Sequence, residues 1–359
     1  MRIGVNSRIY QNSESGIPYY VKLLYSSILK IDRINDYTFF QTSKAKMLGN
    51  TRTVNLPENL LGNFLFDSLL VNSLVKRERI DAFHGTSCSL PVARIKGVRY
   101  VVTIHDLAFL TYPEFYSKIY RTYFWFVVKY SLQNADMVVC DSESTRKDVL
   151  NYFRIPESRV KTVYLGVNEA FLQNEKKTPL LKERYFLSIT THPKRKNILR
   201  VLEAMAASNV LRELQYIIAG LISKEHLTEL TEIISQLNLQ DNVIVRGYVS
   251  EDELISLYQN AEFLVYPSLY EGFGFPILEA MASFCPVITS DTSSLVELNP
   301  QADWRVNPEN IEEMTFKMEK MAVLSKDERA ALTTKNRKFA EGFRWHKTAT
   351  DMIDIFKGN

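Results

Sequence analysis

What this 359-residue sequence lacks narrows its class before any motif is read. It has three cysteines, Cys88, Cys140 and Cys285, an odd number set far apart in apolar surroundings. That excludes a disulfide framework and a Cys/His metal spacing, and predicts buried thiols in a reducing compartment. No run reaches the roughly 18 apolar residues of a membrane-spanning helix. The start, MRIGVNSRIY, reads as a strand and lacks the apolar core of a signal peptide. Low-complexity tracts, tandem repeats and Asp-x-Asp triplets are missing too. Charge of one sign is also in short supply, with 44 Lys+Arg against 41 Asp+Glu and a net charge of +3, and no nucleic-acid partner is expected. The near balance hides an asymmetry. Residues 1–170 hold 22 Lys+Arg against 15 Asp+Glu, and residues 171–359 hold 22 against 26, so the halves are expected to face different partners. A hydrophobic content of 46% over this length suits two globular domains, each with its own core.

The most informative stretch runs from Glu262 to Leu298. Phe263 to Tyr266 form a short apolar, β-rich run that reads as a buried parallel strand ended by Pro267. Glu271-Gly272-Phe273-Gly274 makes a glycine turn, Pro276 fits the first helical position, and Ile277 to Phe284 continue as a helix. A strand, a glycine loop and a helix N-terminus offer unpaired N–H groups and a positive dipole end, which suits a phosphate. Glu271 lies in the loop and Glu279 in the expected first helical turn. Either carboxylate has the two acceptor oxygens needed for a vicinal diol such as a ribose. Taken alone, an ordinary glycine turn and a carboxylate complementing the helix dipole would account for the same residues.

Along the chain, strands at 2–6, 37–41, 82–84, 98–104, 135–140 and 160–164 alternate with helices, among them 19–29, 60–75 and an aromatic-rich 112–133. After a polar, proline-bearing linker at 174–181 the rhythm restarts, with strands at 185–190, 214–219, 243–246, 262–267, 286–290 and 303–306. Helices near 197–208, 224–237, 251–259 and 276–284 separate them. This alternation predicts an α/β protein of two Rossmann-like domains facing across a cleft, at 1–172 and 173–341, followed by a terminal helix at 342–359. Three further points sit where ligands gather in such folds. Ser15-Gly16-Ile17-Pro18 turns from the first strand into a helix; His105 and Asp106 end the strand at 98–104; Lys194, Arg195 and Lys196 follow the strand at 185–190. Singly, each reads as readily as a structural turn, a satisfied histidine or a solvated basic loop.

The segment EGFGFPILEAMA, with Glu271 and Glu279 at its key positions, resembles the Glu-x7-Glu signature of the retaining glycosyltransferases of family 4. TIHDLAF around His105, the KRKN loop, the Ser142-Glu143 pair and the Phe343-Arg344-Trp345 tail are similar to elements of the same family. The resemblance implies a GT-B architecture whose final helix crosses back to the N-terminal, acceptor-binding domain. It implies Glu279 on the donor ribose, Glu271 and His105 at the donor sugar, and the Gly272-Phe273-Gly274-Phe275 backbone along the diphosphate. Arg195 and Lys196 are expected to neutralise that diphosphate, Tyr248 and Val249 to pass the base, and Gly16 to lie in a phosphate or acceptor loop. Thr190 stands where a glycine is common and Lys194 is extra, which leaves the division of roles among the three cations open. The expected activity is hexosyl transfer from a nucleotide sugar, first GDP-mannose, to a glycan or polyprenyl-linked acceptor in cell-surface polysaccharide assembly. UDP- or dTDP-sugars, a sugar-nucleotide epimerase and a non-catalytic nucleotide-sugar-binding subunit are the alternatives. No cofactor and no metal are expected. The expected location is cytoplasmic, at the inner face of the plasma membrane, because the basic N-terminal half carries Lys118, Arg121 and Lys129 on the aromatic helix.

Overall fold

A computed structural model describes residues 1–7, 16–42, 52–56, 64–173, 175, 177–191 and 194–358; the side chains of 42, 55–56 and 64–70 are not described. Ser15, the first residues of the 60–75 helix, Asn174 and Lys176 of the linker, and His192 and Pro193 of the basic loop lie outside that set. The chain forms two compact units, Met1–Gly166 with Arg344–Asn359, and Val167–Phe343.

In the first unit the order is β1 (Arg2–Asn6), α1 (Gly16–Ile31), β2 (Asp36–Thr42), β3 (Arg52–Leu56), α2 (Phe64–Arg77), β4 (Ala82–Gly85), β5 (Arg99–Ile104), α3 (Ala108–Thr111), α4 (Lys118–Asn134), β6 (Met137–Cys140), α5 (Glu143–Tyr152) and β7 (Val160–Thr162). The strands pair in parallel in the order β3-β2-β1-β4-β5-β6-β7. Buried on both faces, they read as apolar runs such as Val101-Val102 and Val138-Val139. The helix expected over 112–133 is instead two pieces. Pro113 opens a 3₁₀ turn at Pro113–Phe115, and Ser117 starts α4 anew by accepting a hydrogen bond from the Tyr120 N–H. Strand β3 had no place in the expected pattern.

The second unit runs β8 (Tyr185–Ile189), α6 (Ile198–Ala207), α7 (Asn209–Arg212), β9 (Gln215–Ala219), α8 (Lys224–Gln236), β10 (Val243–Val245), α9 (Glu251–Asn260), β11 (Leu264–Tyr266), α10 (Phe275–Ala282), β12 (Val287–Ser290), α11 (Leu295–Leu298), β13 (Arg305–Val306), α12 (Ile311–Ala322) and α13 (Lys326–Ala340). Its parallel sheet has the order β10-β9-β8-β11-β12-β13. The boundary falls at 166/167 rather than 172/173. Phe171 packs edge-on to Tyr258, and Arg337 donates to the Phe171 and Leu172 carbonyls, which ties 167–172 to this unit.

α14 (Trp345–Lys357) closes the first unit. Arg99 Nε donates to the Ile355 carbonyl at 2.9 Å and Thr348 Oγ1 to the Tyr164 carbonyl at 2.8 Å. The Trp345 backbone passes so near Gly166 that a Cβ there would lie 2.2 Å from its nitrogen. Cys140 and Cys285 are buried, Cys88 is half-buried, and all three are free thiols.

Candidate active site

In the second sheet β8 and β11 are neighbours, with Leu264 opposite Leu187, yet the chain leaves them for opposite flanks. This is the topological switch point of a doubly wound sheet, where a crevice opens beyond the carboxyl ends of the strands. The exit of β8 carries Lys194, Arg195, Lys196 and Asn197; the exit of β11 carries the turn through Glu271 to Gly274. The two exits are tied together. The Leu269 N–H donates to the Arg195 carbonyl at 3.0 Å, and Arg195 Nη1 donates to the Tyr270 carbonyl at 2.8 Å. Asn197, in the left-handed region at φ 61°, donates Nδ2 to the Pro267 and Pro308 carbonyls at 3.1 and 2.7 Å. Asparagine tolerates that conformation better than most residues.

Glu271 stands at the centre of the cluster, 7% exposed. Its Oε1 accepts from Lys196 Nζ at 2.5 Å and its Oε2 lies 3.2 Å from Arg195 Nη1. Burial pushes this carboxyl up, but the charges of Arg195 and Lys196 and the Lys196 hydrogen bond outweigh it and hold it at about 2. Lys194 takes no part: it points to Glu229 of α8 at 3.0 Å, half in solvent. The geometry thus separates the three cations, with Arg195 and Lys196 inside the cluster and Lys194 outside it.

The turn is braced from the α11 side. Ser293 Oγ accepts from the Glu271 N–H at 3.0 Å, and Ser294 Oγ lies 2.9 and 2.6 Å from the Glu271 and Phe273 carbonyls. Gly274 has φ 123°, where L side chains are strained. α10 begins at Phe275, so Pro276 is its second residue and Glu279 its fifth. Glu279 is therefore in the second turn, not the first as expected, because the helix starts one residue before the proline. The first turn carries no acid at all, and complementing the helix dipole does not explain this residue. Glu279 is 6% exposed, and its Oε2 accepts from the Tyr258 hydroxyl at 3.3 Å. Burial drives its carboxyl up to about 8; the Tyr258 bond offsets part of that, and the charge of Glu251 adds to it. Two carboxylates eight positions apart are thus pushed in opposite directions, Glu271 ionised and Glu279 largely neutral at pH 7. Gly272 and Phe273 are buried, Phe275 is half-buried, and Tyr248, just past β10, is 58% exposed beside the half-buried Val249.

In the first unit His105 directly follows β5. Its Nδ1 lies 2.6 Å from Asp141 Oδ2 and its Nε2 2.7 Å from the Thr86 carbonyl. Both partners are acceptors, so making both bonds requires the doubly protonated ring. Burial lowers the ring's basicity, but Asp141 and the Thr86 carbonyl raise it further, and the result lies above the ordinary value. Tyr20 packs edge-on against the ring, 4.8 Å between centroids. Asp106 Oδ1 accepts from the Ala108 N–H at 3.0 Å, a turn-capping role. Gly16 is exposed at the start of α1 with φ 61°. Sequence reasoning missed Asp141, Thr86, Tyr258, Tyr266 and the Ser293-Ser294 pair. Asp141 directly precedes α5 but does not cap it; Ser142 does, its side chain accepting from the Thr145 N–H.

Two family profiles cover most of the chain: Glycosyltransferase Family 4 over residues 43–171 and Glycosyl transferases group 1 over residues 171–339. The chain therefore belongs to the family 4 type of glycosyltransferase, built from two Rossmann-like domains. It is similar to the O-antigen chain mannosyltransferase B of Escherichia coli, 29% identical over 77% of this chain and 74% of that protein. It is also similar to the O-antigen chain mannosyltransferase RfbU of Salmonella typhimurium, 31% identical over 59% of this chain and 61% of that protein. Among solved structures, a sucrose-phosphate synthase from Thermosynechococcus elongatus superposes with a TM-score of 0.83 at 19% identity, covering 100% of this chain and 98% of its own. That last likeness speaks for the fold alone.

Proposed function

We propose that this glycosyltransferase moves a mannosyl group from GDP-mannose to a hydroxyl of a glycan or polyprenyl-linked acceptor, with retention of configuration, in the assembly of an O-antigen-like polysaccharide. The observation that carries this reading is the convergence of Arg195 and Lys196 on Glu271 at the switch point, with Glu279 on the helix that follows. The two named mannosyltransferase relatives support the choice of sugar.

The chemical problem is a departing nucleoside diphosphate and a sugar carbon that becomes cationic as the glycosidic bond breaks. Arg195 and Lys196, already fixed in place, stabilise the leaving charge without reorganisation. Each Glu271 oxygen retains acceptor capacity for a sugar hydroxyl besides its cation. Glu279 receives the ribose diol; His105 is assigned to the donor sugar by family resemblance, and because Asp141 and the Thr86 carbonyl engage both its ring nitrogens, meeting the sugar requires the Thr86 bond to open. In front-face attack the acceptor oxygen bonds to the anomeric carbon as the phosphate oxygen leaves, and that oxygen takes the acceptor proton. No protein nucleophile is needed. Because two side-chain cations meet the diphosphate, transfer is expected to proceed without a divalent ion. The test is a thermal-shift panel of GDP, UDP and dTDP, then mannose transfer from GDP-mannose with and without EDTA. Stabilisation by UDP alone would overturn the donor, and loss of transfer in EDTA restored by Mg²⁺ would overturn the cation assignment.

The reading extends to a peripheral membrane location. Among the described residues no helix is long and apolar enough to cross a bilayer. The start of α4, however, presents Ile119 (85% exposed), Phe126 (61%) and Tyr123 beside Lys118 and Arg121. Phe124 and Trp125 pack instead against the core, so only part of the aromatic stripe faces out. A surface groove of about 560 Å³ lined by Leu110, Lys118, Arg121, Thr122, Trp125 and Phe126 runs along this face. Apolar and cationic groups side by side suit an anionic interface, each cation contributing about 1 kcal/mol. Co-sedimentation with anionic vesicles is expected to be salt-sensitive and weakened by Lys118→Glu with Arg121→Glu. Equal binding to neutral and anionic vesicles, or none to either, would refute it.

A further inference from the structure

We infer that Tyr266 is a positioning residue for Lys196, giving its ammonium a second anchor that holds it without cancelling its charge. The inference rests on the reading that Lys196 meets the leaving diphosphate.

Lys196 is 8% exposed and follows β8; Tyr266 is the last residue of β11, buried and paired in register with Thr289 of β12. Lys196 Nζ donates to the Tyr266 hydroxyl and lies 4.6 Å from the centroid of the same ring. It also donates to Glu271 Oε1 at 2.5 Å. These anchors differ in kind. A carboxylate fixes an ammonium and neutralises it together. A phenol oxygen fixes it by its dipole and leaves the full unit charge for an incoming anion. Burial, first, and the charge of Glu271 push the Tyr266 hydroxyl well above its ordinary value, so it remains neutral.

Arg195 is built the same way. It shares Glu271 with Lys196 and has a neutral anchor of its own, the Tyr270 carbonyl. Both cations are therefore pinned by uncharged oxygens, Lys196 to the last residue of β11 and Arg195 to the turn that follows it. The difference is that an arginine fork is planar and pre-organised, whereas a lysine stem is flexible and gains more from a second support. A cation that acts by preorganised electrostatics must be held within a fraction of an ångström. A rigid strand end supplies a support of that precision.

The experiment is a double-mutant cycle on the whole chain, read as GDP released from GDP-mannose, or with whichever nucleotide sugar replaces it in the panel above. Tyr266→Phe keeps the ring and removes the oxygen. It is expected to lower kcat about 10-fold with donor KM changed less than about twofold, because the support matters most when the leaving charge develops. Tyr266→Leu, which removes the ring as well, is expected to cost roughly 50-fold. In a Lys196→Met background Tyr266→Phe should change kcat by less than about twofold, since nothing remains to be positioned. An equal 10-fold loss in both backgrounds would mark Tyr266 as merely structural and overturn the inference while leaving Lys196 in its role. Wild-type turnover by Lys196→Met alone would overturn the diphosphate reading and this inference with it.

Discussion

The Glu279→Gln protein is expected to melt above wild type at pH 8.5 and to bind nucleoside diphosphate more weakly. Glu279 is buried, its one described hydrogen bond comes from Tyr258, and its carboxyl is raised to about 8 from an ordinary 4.5, with burial as the largest cause. An acid whose folded value is raised binds more protons folded than unfolded between those two values. Stability therefore falls as pH rises from 4.5 to 8, and the penalty is complete above 8. Glutamine has the shape of the neutral acid and carries no such penalty. The variant and wild type should melt together near pH 4.5 and separate progressively, by roughly 5 °C or more at pH 8.5. At pH 8.5, where Glu279 is mostly ionised, nucleotide affinity should move the other way, because an amide replaces the second acceptor oxygen that the carboxylate offers to the ribose diol. Melting curves across pH and calorimetry with GDP check both halves. Coincident melting at pH 8.5 would show that Glu279 is not held in an unfavourable site. Unchanged GDP affinity would remove it from the nucleotide.

Glu271 is expected to behave in the opposite sense. Its carboxyl is held at about 2 because Arg195 and Lys196 overcome the effect of burial. The stability it contributes is present above pH 4.5 and lost as pH falls through 2. Glu271→Ala leaves a buried ammonium and a half-buried guanidinium without their carboxylate, and breaking a buried pair from one side costs about 3–5 kcal/mol. The same change should lower turnover more than GDP affinity, since Glu271 is assigned to the sugar. Adding Lys196→Met removes the stranded charge, so the double variant should recover much of the lost stability and none of the turnover. Denaturant unfolding and transfer assays on the two variants test this. A Glu271→Ala protein as stable as wild type would mean that the cluster is not energetically coupled.

The fold was legible because both halves alternate in period. Short β-rich apolar runs such as Phe263 to Tyr266 cannot be amphipathic helices at that length, and nearly every expected strand lies within a residue or two of an observed one. The misses have local causes. β3 is a polar edge strand, RTVNL, without the apolar run of a central strand. α12 and α13 carry helix signals that were not read. Asn310 caps the first, and Ser325 with Glu328 forms a capping box for the second. At the site, Glu271, Glu279, Arg195 and Lys196 stood out because their spacing is local to two short segments, the loop after β8 and the turn leading into α10. Asp141 beneath His105, Tyr258 beneath Glu279 and Tyr266 beside Lys196 come from other elements. Only the packing of the sheet brings such partners together, and a one-dimensional pattern holds no sign of that. Hydrogen-bonding partners of functional groups are thus read from the fold, and the groups themselves from the chain.

The last helix has a consequence for how the protein is made. α14 belongs to the unit that begins at Met1 and packs against α1, and the ring centroid of its Phe356 lies 5.4 Å from that of the buried His84. All of Val167–Phe343 is translated before that helix exists. The second unit can therefore complete its core during synthesis, while the first waits with the α1 surface uncovered until the final turns leave the ribosome. A fragment cut at residue 166 would keep that surface bare, so the first unit is properly isolated by joining residue 166 directly to residue 344 through a short linker.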